Sequence, residues 1–330
     1  MECRDLISTT NLFIIIIDGL RWHEVFNGPD PALLNNKTIT PDATIKRLFW
    51  DEAVTERRKR LLPFFWDVIA KHGQLLGDRN GNSKVNAANP YSISYAGYNE
   101  IFTGKASSVI MRNKKKLNRN INVLEYLNNK PAFASKMAVF SSWNGMPYVL
   151  NNKRNGILID GGYEDETEDK IKLPKNMTRE EDKKSGQLSP ETRYDTITYE
   201  RAKKYLRDHH PRILVVAFAE GDVHGHQKRY DLYLKEAHNA DSRIAELWAL
   251  VQNDPYYKDQ TNFLITTDHG RGSKTTNWYD HGLFVKGSTQ TWMGLMGPHI
   301  QSLKLEKKQF YNKELAGIIA RLVGEEFTLS

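Results

Sequence analysis

The stretch Asn262-Phe263-Leu264-Ile265, running into Thr266-Thr267-Asp268-His269-Gly270-Arg271-Gly272, limits what this chain can fold into more than any other. An apolar run ended by glycines reads as a buried strand feeding a loop, and in open α/β sheets the loops at the carboxyl ends of strands hold the ligands. An adjacent carboxylate and imidazole at that edge have the chemistry of metal ligands.

Three other segments offer matching chemistry. Phe13-Ile14-Ile15-Ile16-Ile17 ends in Asp18-Gly19, and Ile213-Leu214-Val215-Val216-Ala217-Phe218 runs into Glu220-Gly221-Asp222-Val223-His224-Gly225-His226. Trp278-Tyr279-Asp280-His281-Gly282 lies downstream of the first stretch. Any one of these alone reads best as a polar loop. Four in one chain, supplying both carboxylates and imidazoles, suit Zn²⁺ or Mn²⁺ better than Ca²⁺, which takes oxygens alone.

The chain has 330 residues, enough for one large α/β domain or two smaller ones. Its 39% hydrophobic and 26% charged residues are those of an ordinary globular protein. No apolar run approaches the roughly 20 residues needed to span a bilayer. The single cysteine, Cys3, excludes an internal disulfide and a thiolate metal cluster. Residues 1–10 are polar and lack a signal-peptide core. The expectation is therefore a cytoplasmic protein, or a periplasmic or secreted one whose signal has been removed.

The net charge is +7, with clusters at Arg57-Arg58-Lys59-Arg60 and Arg112-Asn113-Lys114-Lys115-Lys116. Neither is interleaved with aromatics, so attraction for an anionic small-molecule substrate is favoured over nucleic-acid binding.

In chain order, a first strand over 12–17 delivers Asp18, and a glycine turn leads into 20–26. Residues 27–60 read as an irregular excursion and then a helix. A helix with a broad apolar face follows over 61–71. A β-like segment passes Ser94 and turns at Ala96-Gly97 into a helix that begins with 98–102. A serine at a helix N-terminus sees free N–H groups and the positive end of the dipole, which suits a nucleophile or a phosphate cradle. An N-cap is the plainer alternative.

Residues 105–121 are polar and basic and suggest an exposed loop. A helix over 122–128 and a strand over 136–140 come next, with Trp143 and Asn144 at the strand's carboxyl edge, where they could line a cleft. Residues 161–189 are rich in charge and read as a surface excursion. Then come a helix over 195–207, the 213–218 strand, a long helix over 231–252, the 263–267 strand, a late strand over 292–297 and a closing helix over 313–323. Alternation of this kind predicts an α/β fold, with a mainly parallel central sheet and helices on both faces. A single domain over 1–330 is expected, with 105–121 and 161–189 as small cap or surface insertions.

Taken together, these segments resemble the alkaline phosphatase superfamily, which groups metal-dependent phosphatases, nucleotide pyrophosphatases, sulfatases and cofactor-independent phosphoglycerate mutases. Asp18 after an apolar strand matches the first metal aspartate. Ser94, nine residues before Thr103-Gly104, matches the nucleophile spacing. Asp222 and His226 match the pair serving one metal, Asp268-His269 the pair serving the other, and His281 the late histidine.

The resemblance implies two divalent ions, Zn²⁺ or else Mn²⁺. One would be held by Asp18, Asp268, His269 and the Ser94 oxygen, the other by Asp222, His226 and His281. His224 is an alternative to His226, and His299 to His281. Glu220, His224 and Arg271 are expected to orient the ligands. The implied activity is hydrolysis of phosphate esters through a phosphoseryl intermediate on Ser94, with phosphotransfer or mutase chemistry as runner-up. A non-catalytic basic binding protein is the competing class.

Two departures qualify the match. Sulfatases carry Cys/Ser-x-Pro-x-Arg, whereas Ala96 and Tyr98 replace the proline and arginine here. Nucleotide pyrophosphatases place an asparagine three residues after the nucleophile, where this chain has Gly97. Asn99 or Asn144 is left to take that role.

Overall fold

The computed structural model of the chain describes residues 10–162, 188–298 and 300–328. A seven-stranded sheet runs through these residues in the order β2-β9-β7-β1-β6-β4-β5. Its strands are β1 (Asn11–Ile17), β2 (Gln74–Leu76), β4 (Met137–Ser141), β5 (Leu158–Gly161), β6 (Ile213–Phe218), β7 (Thr261–Thr266) and β9 (Met293–Met296). The pairs β7-β1, β1-β6, β6-β4 and β4-β5 are parallel, and β9 runs antiparallel to both its neighbours. The expected α/β architecture is therefore present, with one reversed strand near an edge.

Alternation along β1 explains why its sequence is apolar throughout. Leu12, Ile14 and Ile16 enter one core, and Phe13, Ile15 and Ile17 the other. Both faces are covered, so neither parity can be polar. Helix α2 (Ser94–Thr103) and the closing helix α6 (Leu315–Arg321) supply Tyr98, Ile101, Phe102 and Leu315 to the first core. The second core takes Tyr199 and Leu206 of α3 (Asp195–His209) and Tyr233, Leu234 and Leu247 of α5 (Tyr230–Asn253).

Several local expectations shift. The helix expected over 61–71 is divided, because Pro63 lacks an N–H. A helix ends at Leu61, and a π-turn at Phe65–Ile69 continues into Ala70–His72. The 27–60 excursion holds three short helices, Pro31–Leu34, Thr44–Phe49 and Val54–Leu61. Strand β2 and a three-stranded sheet of β10 (Gln309–Tyr311), β3 (Lys84–Asn86) and β8 (Gln290–Thr291) carry no periodic signal, being two or three residues long. Residues 105–121 lack regular structure, as expected. Of the 161–189 excursion, residues 163–187 lie outside the described residues, as does His299.

Candidate active site

Strand register brings the metal-ligand candidates together. Ile16 pairs with Thr266 across β1 and β7, so Asp18 and Asp268 each emerge two residues later, level with one another. Ile17 pairs with Phe218, which puts the start of α4 (Glu220–His226) at the same edge. The Gly19 N–H donates to Asp268 Oδ1 at 3.1 Å. Gly19 has φ of +63°, and a Cβ there would lie 2.6 Å from Asp222 Oδ1, so only glycine fits.

His269 is completely buried, and its Nδ1–H donates to the Gly270 carbonyl at 2.9 Å. A carbonyl can only accept, so Nε2 carries the free lone pair. That atom lies 3.4 Å from Asp18 Oδ1, 3.5 Å from Asp268 Oδ2 and 3.5 Å from Ser94 Oγ. Asp18 Oδ1 and Asp268 Oδ2 are buried without a hydrogen-bond partner. The other Asp18 oxygen accepts from Tyr98 Oη at 3.2 Å.

Burial, reinforced by Asp268 and Asp222, pushes the Asp18 carboxyl well above its ordinary range. Burial and then Asp222 bring Asp268 to about 8. Burial, then His281, hold the His269 imidazole neutral.

A second group lies alongside. The His281 Nδ1–H donates to the Ser92 carbonyl at 2.7 Å, and burial takes this imidazole down to about 4. Its Nε2 lies 3.0 Å from His226 Nε2 and 3.9 Å from Asp222 Oδ1, and its ring stacks on His269 at 3.9 Å. His226 Nε2 is 3.3 Å from Asp222 Oδ2. Geometry alone groups Asp222, His269 and His281, with His226 within reach of two of them.

Arg271, 1% exposed, donates to Asp222 Oδ1 at 2.6 Å, to the Asp222 carbonyl and to the Tyr279 carbonyl. Burial would raise the Asp222 carboxyl, but Arg271 and the two histidines outweigh it and hold it well below the carboxylate range. Arg271 thus fixes one oxygen of Asp222 and leaves the other facing His226.

Ser94 is the first residue of α2, four positions earlier than the sequence suggests. The preceding Ser92 takes a left-handed φ of 45° and so ends the extended segment early. Gly97 packs straight on the Asp268 carbonyl, which binds the Ser94 helix to the Asp268 loop. The Tyr95 N–H at the helix start donates to Asn113 Oδ1 at 2.9 Å, a contact the sequence did not signal.

A cavity of about 480 Å³ opens here, lined among others by Asp18, Ser94, Asn113, Trp143, Asp222 and His226. Trp143 also stacks on Tyr98. Asn99 and Asn144 do not line it. Asn99 spends its side chain on Lys105, Asn118 and Asn120 of the 105–121 loop, and buried Asn144 packs beneath Gly162. His224 faces Glu220 and Gln227 rather than Asp222, so His226 is the histidine brought to the site. Glu220 accordingly orients His224 and accepts from the Asp195 N–H.

A third acidic group, Asp195, Glu220 and Glu236, is buried together at the start of α4. Burial takes Asp195 to about 7, but it accepts from Ser142 Oγ and the N–H groups of Ala219 and Glu220, which makes it the anchor for the start of α4.

The family model for type I phosphodiesterase / nucleotide pyrophosphatase matches residues 49–308. The chain belongs to that family. It is a phosphoryl-transfer family within the alkaline phosphatase superfamily, as the sequence resemblance anticipated. No curated protein matches the chain.

Among solved structures, it is similar to alkaline phosphatase from the Antarctic bacterium TAB5, with a TM-score of 0.55 at 12% identity over 96% of this chain and 98% of that one. The phosphonate monoester hydrolase of Agrobacterium radiobacter gives 0.54 at 12%, over 96% and 74%. The lipoteichoic acid synthase LtaP from Listeria monocytogenes gives 0.54 at 11%, over 97% and 73%. At these identities the likeness is one of fold. For this phosphodiesterase-family chain the chemistry rests on its own residues.

Proposed function

We propose that this chain is a two-metal hydrolase of phosphate esters, diesters foremost, with Ser94 as its nucleophile. The carrying observation is that two buried, partnerless carboxylate oxygens and the Ser94 hydroxyl each lie within 3.5 Å of the neutral His269 Nε2. An unpaired buried carboxylate costs several kcal/mol, and a cation removes that cost.

The spacing fits a metal. Tetrahedral bonds of about 2.0–2.1 Å put donor atoms roughly 3.3 Å apart. The separations here are 3.4 and 3.5 Å in the first group and 3.0 and 3.3 Å around His226. Asp18, Asp268, His269 and Ser94 would hold one ion, and Asp222, His226 and His281 the other, with Zn²⁺ favoured by the mixed nitrogen and oxygen donors and Mn²⁺ the alternative. When bound, the ions favour the ionised serine and neutralise charge on the phosphoryl oxygens.

The chain's residues do the rest. Ser94, its hydroxyl proton released to water, attacks phosphorus through Oγ, the bond to the leaving oxygen breaks, and that oxygen leaves with a proton from water. A second water then displaces Ser94 from the phosphoseryl intermediate. Asn113, its carbonyl fixed by the Tyr95 N–H, is left with two amide donors for a phosphoryl oxygen. Tyr98 and Arg271 keep Asp18 and Asp222 turned toward the site.

Transfer to an alcohol instead of water is the second reading. It draws support from fold neighbours such as the phosphoethanolamine transferase A of Neisseria meningitidis, at 0.54 and 10% identity.

The test is Ser94→Ala with bis(p-nitrophenyl) phosphate, p-nitrophenyl phosphate and p-nitrophenyl sulfate, varying Zn²⁺ and Mn²⁺. The variant should fold, keep its metal and lose several orders of magnitude in rate, whereas loss of a mere cap would cost only about 1 kcal/mol of stability. Turnover near wild type would reject Ser94. Glycerol added as acceptor separates the two readings by its phosphorylated product.

A further inference from the structure

The basic loop over 105–121 does not simply lie on the surface. It wraps the N-terminal half of α2 and is pinned at successive points. Asn99 donates to the Lys105 carbonyl at 2.7 Å, Tyr91 Oη to the Ser108 carbonyl at 2.8 Å, and Tyr95 Oη to the Lys116 carbonyl at 2.6 Å. Asn113 caps the Tyr95 N–H, and Asn118 reaches back to Asn99. The loop therefore has a fixed path without regular structure.

Its composition is one-sided. Lys105, Arg112, Lys114, Lys115, Lys116 and Arg119 fall within it and no acidic residue does. Among the described residues, Arg112, Lys114, Lys115, Lys116 and Arg119 form no ion pair. The loop itself encloses a cavity of about 620 Å³, lined by Arg112, Lys114, Lys116 and Arg119 and by apolar side chains that include Ile110 and Leu117. That size suits a small molecule, since ligand sites run from about 300 to 1,000 Å³.

This cavity adjoins the candidate active site through two pairs of chain neighbours. Ser94 lines the catalytic cavity and Tyr95 the basic one, while Asn113 lines the catalytic cavity and Arg112 and Lys114 the basic one. A molecule whose scissile phosphate sits at Ser94 can extend past Tyr95 into a concave, positively charged space. Cations gathered in such a hollow attract anions more strongly than scattered surface lysines, and each phosphate contact they make is charge-assisted.

We infer that the cavity within the 105–121 loop is a subsite for a second phosphoryl group of the substrate, on the side opposite the leaving group, with Arg112, Lys114 and Lys116 as its main contacts. The inference rests on the proposed phosphodiester chemistry at Ser94. It makes the preferred substrate a small molecule with a scissile diester and a further phosphate, the apolar part of the lining taking the carbon skeleton between them.

The experiment compares two p-nitrophenyl esters that share a leaving group. One is thymidine 5′-(p-nitrophenyl phosphate), and the other carries an added 3′-phosphate. For the wild type, kcat/KM should be about tenfold higher for the 3′-phosphorylated ester, mostly through KM, and the preference should shrink as salt rises. In Arg112→Gln/Lys114→Gln/Lys116→Gln the ratio of the two kcat/KM values should fall toward one. An equal rate on both esters in the wild type, or a ratio unchanged in the variant, overturns the proposal.

Binding of thymidine 3′,5′-bisphosphate to the EDTA-treated protein, measured by calorimetry, keeps the subsite apart from the chemistry. If neither ester is cleaved, weaker binding by the variant still supports the subsite and only the hydrolase reading fails, while equal binding overturns the subsite. Sedimentation with phosphatidylserine vesicles is the last arm. Cation-dependent vesicle binding without any preference between the esters would assign the loop to a membrane surface and refute the small-molecule subsite.

Discussion

Gly97→Ala tests whether the position of Ser94 depends on close packing of its helix against the Asp268 loop. A Cβ at 97 would lie 2.5 Å from the Asp268 carbonyl oxygen, 2.9 Å from its carbonyl carbon and 3.0 Å from its Cβ. Carbon–oxygen contacts are tolerable only beyond roughly 3.2 Å, so helix and loop must part by about 0.7 Å. Neither side yields easily. Every residue of α2 is buried, Tyr98 is tied to Asp18, and the Asp268 carbonyl is held by Asn312 Nδ2 at 3.1 Å.

Ser94 lies one helical turn before Gly97, so most of the displacement reaches its hydroxyl. A misplacement approaching 1 Å at a reacting atom costs on the order of 100-fold in rate, while overpacking of this kind costs about 1–3 kcal/mol in stability. The expected result is a folded enzyme with kcat on bis(p-nitrophenyl) phosphate lowered about 100-fold and Tm lowered by roughly 1–4 °C. Gly317→Ala is the control. It lies in α6 with no atom within 4 Å of its added Cβ, so it should gain about 0.5–1 kcal/mol and keep full activity. A Gly97→Ala enzyme with wild-type kcat and Tm would refute the argument that this contact sets the Ser94 position.

Asp268→Ala and His269→Ala should each lower metal content as well as activity, because each removes a donor from the group around Asp18. Elemental analysis of the purified variants checks this, and full occupancy in both would remove them from the ligand set. A separate pH dependence should come from Asp241, which accepts from the N–H groups of Phe64 and Phe65 and is pushed to about 7 by burial. The unfolded chain ionises this carboxyl first, near pH 4, so the folded state holds the extra proton between there and about pH 7. Stability should fall across that window as pH rises, by about 1 kcal/mol per unit, and level off above it. Urea melts of wild type and Asp241→Asn should show the slope in the first and its reduction in the second; parallel curves would count against the assignment.

The central strands were legible because each is an apolar run bounded by glycine or charge, and covering both faces of the sheet leaves no room for polar residues along them. The reversed β9 and the small second sheet were not. Strands of two to four residues carry too little periodicity to declare their direction, and pairing partners such as Lys84–Asn86 and Gln309–Tyr311 are more than two hundred residues apart. The start of α2 was misplaced because the backbone turns at Ser92, a non-glycine residue in a left-handed conformation, where sequence offers no glycine to mark it.

The candidate site divides along the same physical line. Asp18, Asp268 and Asp222 follow strands whose register is fixed by burial on both faces, and neighbouring strands lie about 4.8 Å apart, so carboxylates some 250 residues distant in the chain must emerge side by side. Reading those strands amounts to reading the candidate ligands. The polar groups that orient them obey no such period. Asn113 reaches Tyr95 only because the 105–121 loop doubles back over α2, and Arg271 reaches Asp222 only because Gly225, where a Cβ would lie 2.6 Å from the guanidinium carbon, leaves it room. Such contacts depend on the path of a loop and on an absent side chain, and neither leaves a repeating trace in the sequence. Substitutions at Gly225, Gly97 and Asn113 should therefore lower activity as well, although none of the three is among the candidate metal donors.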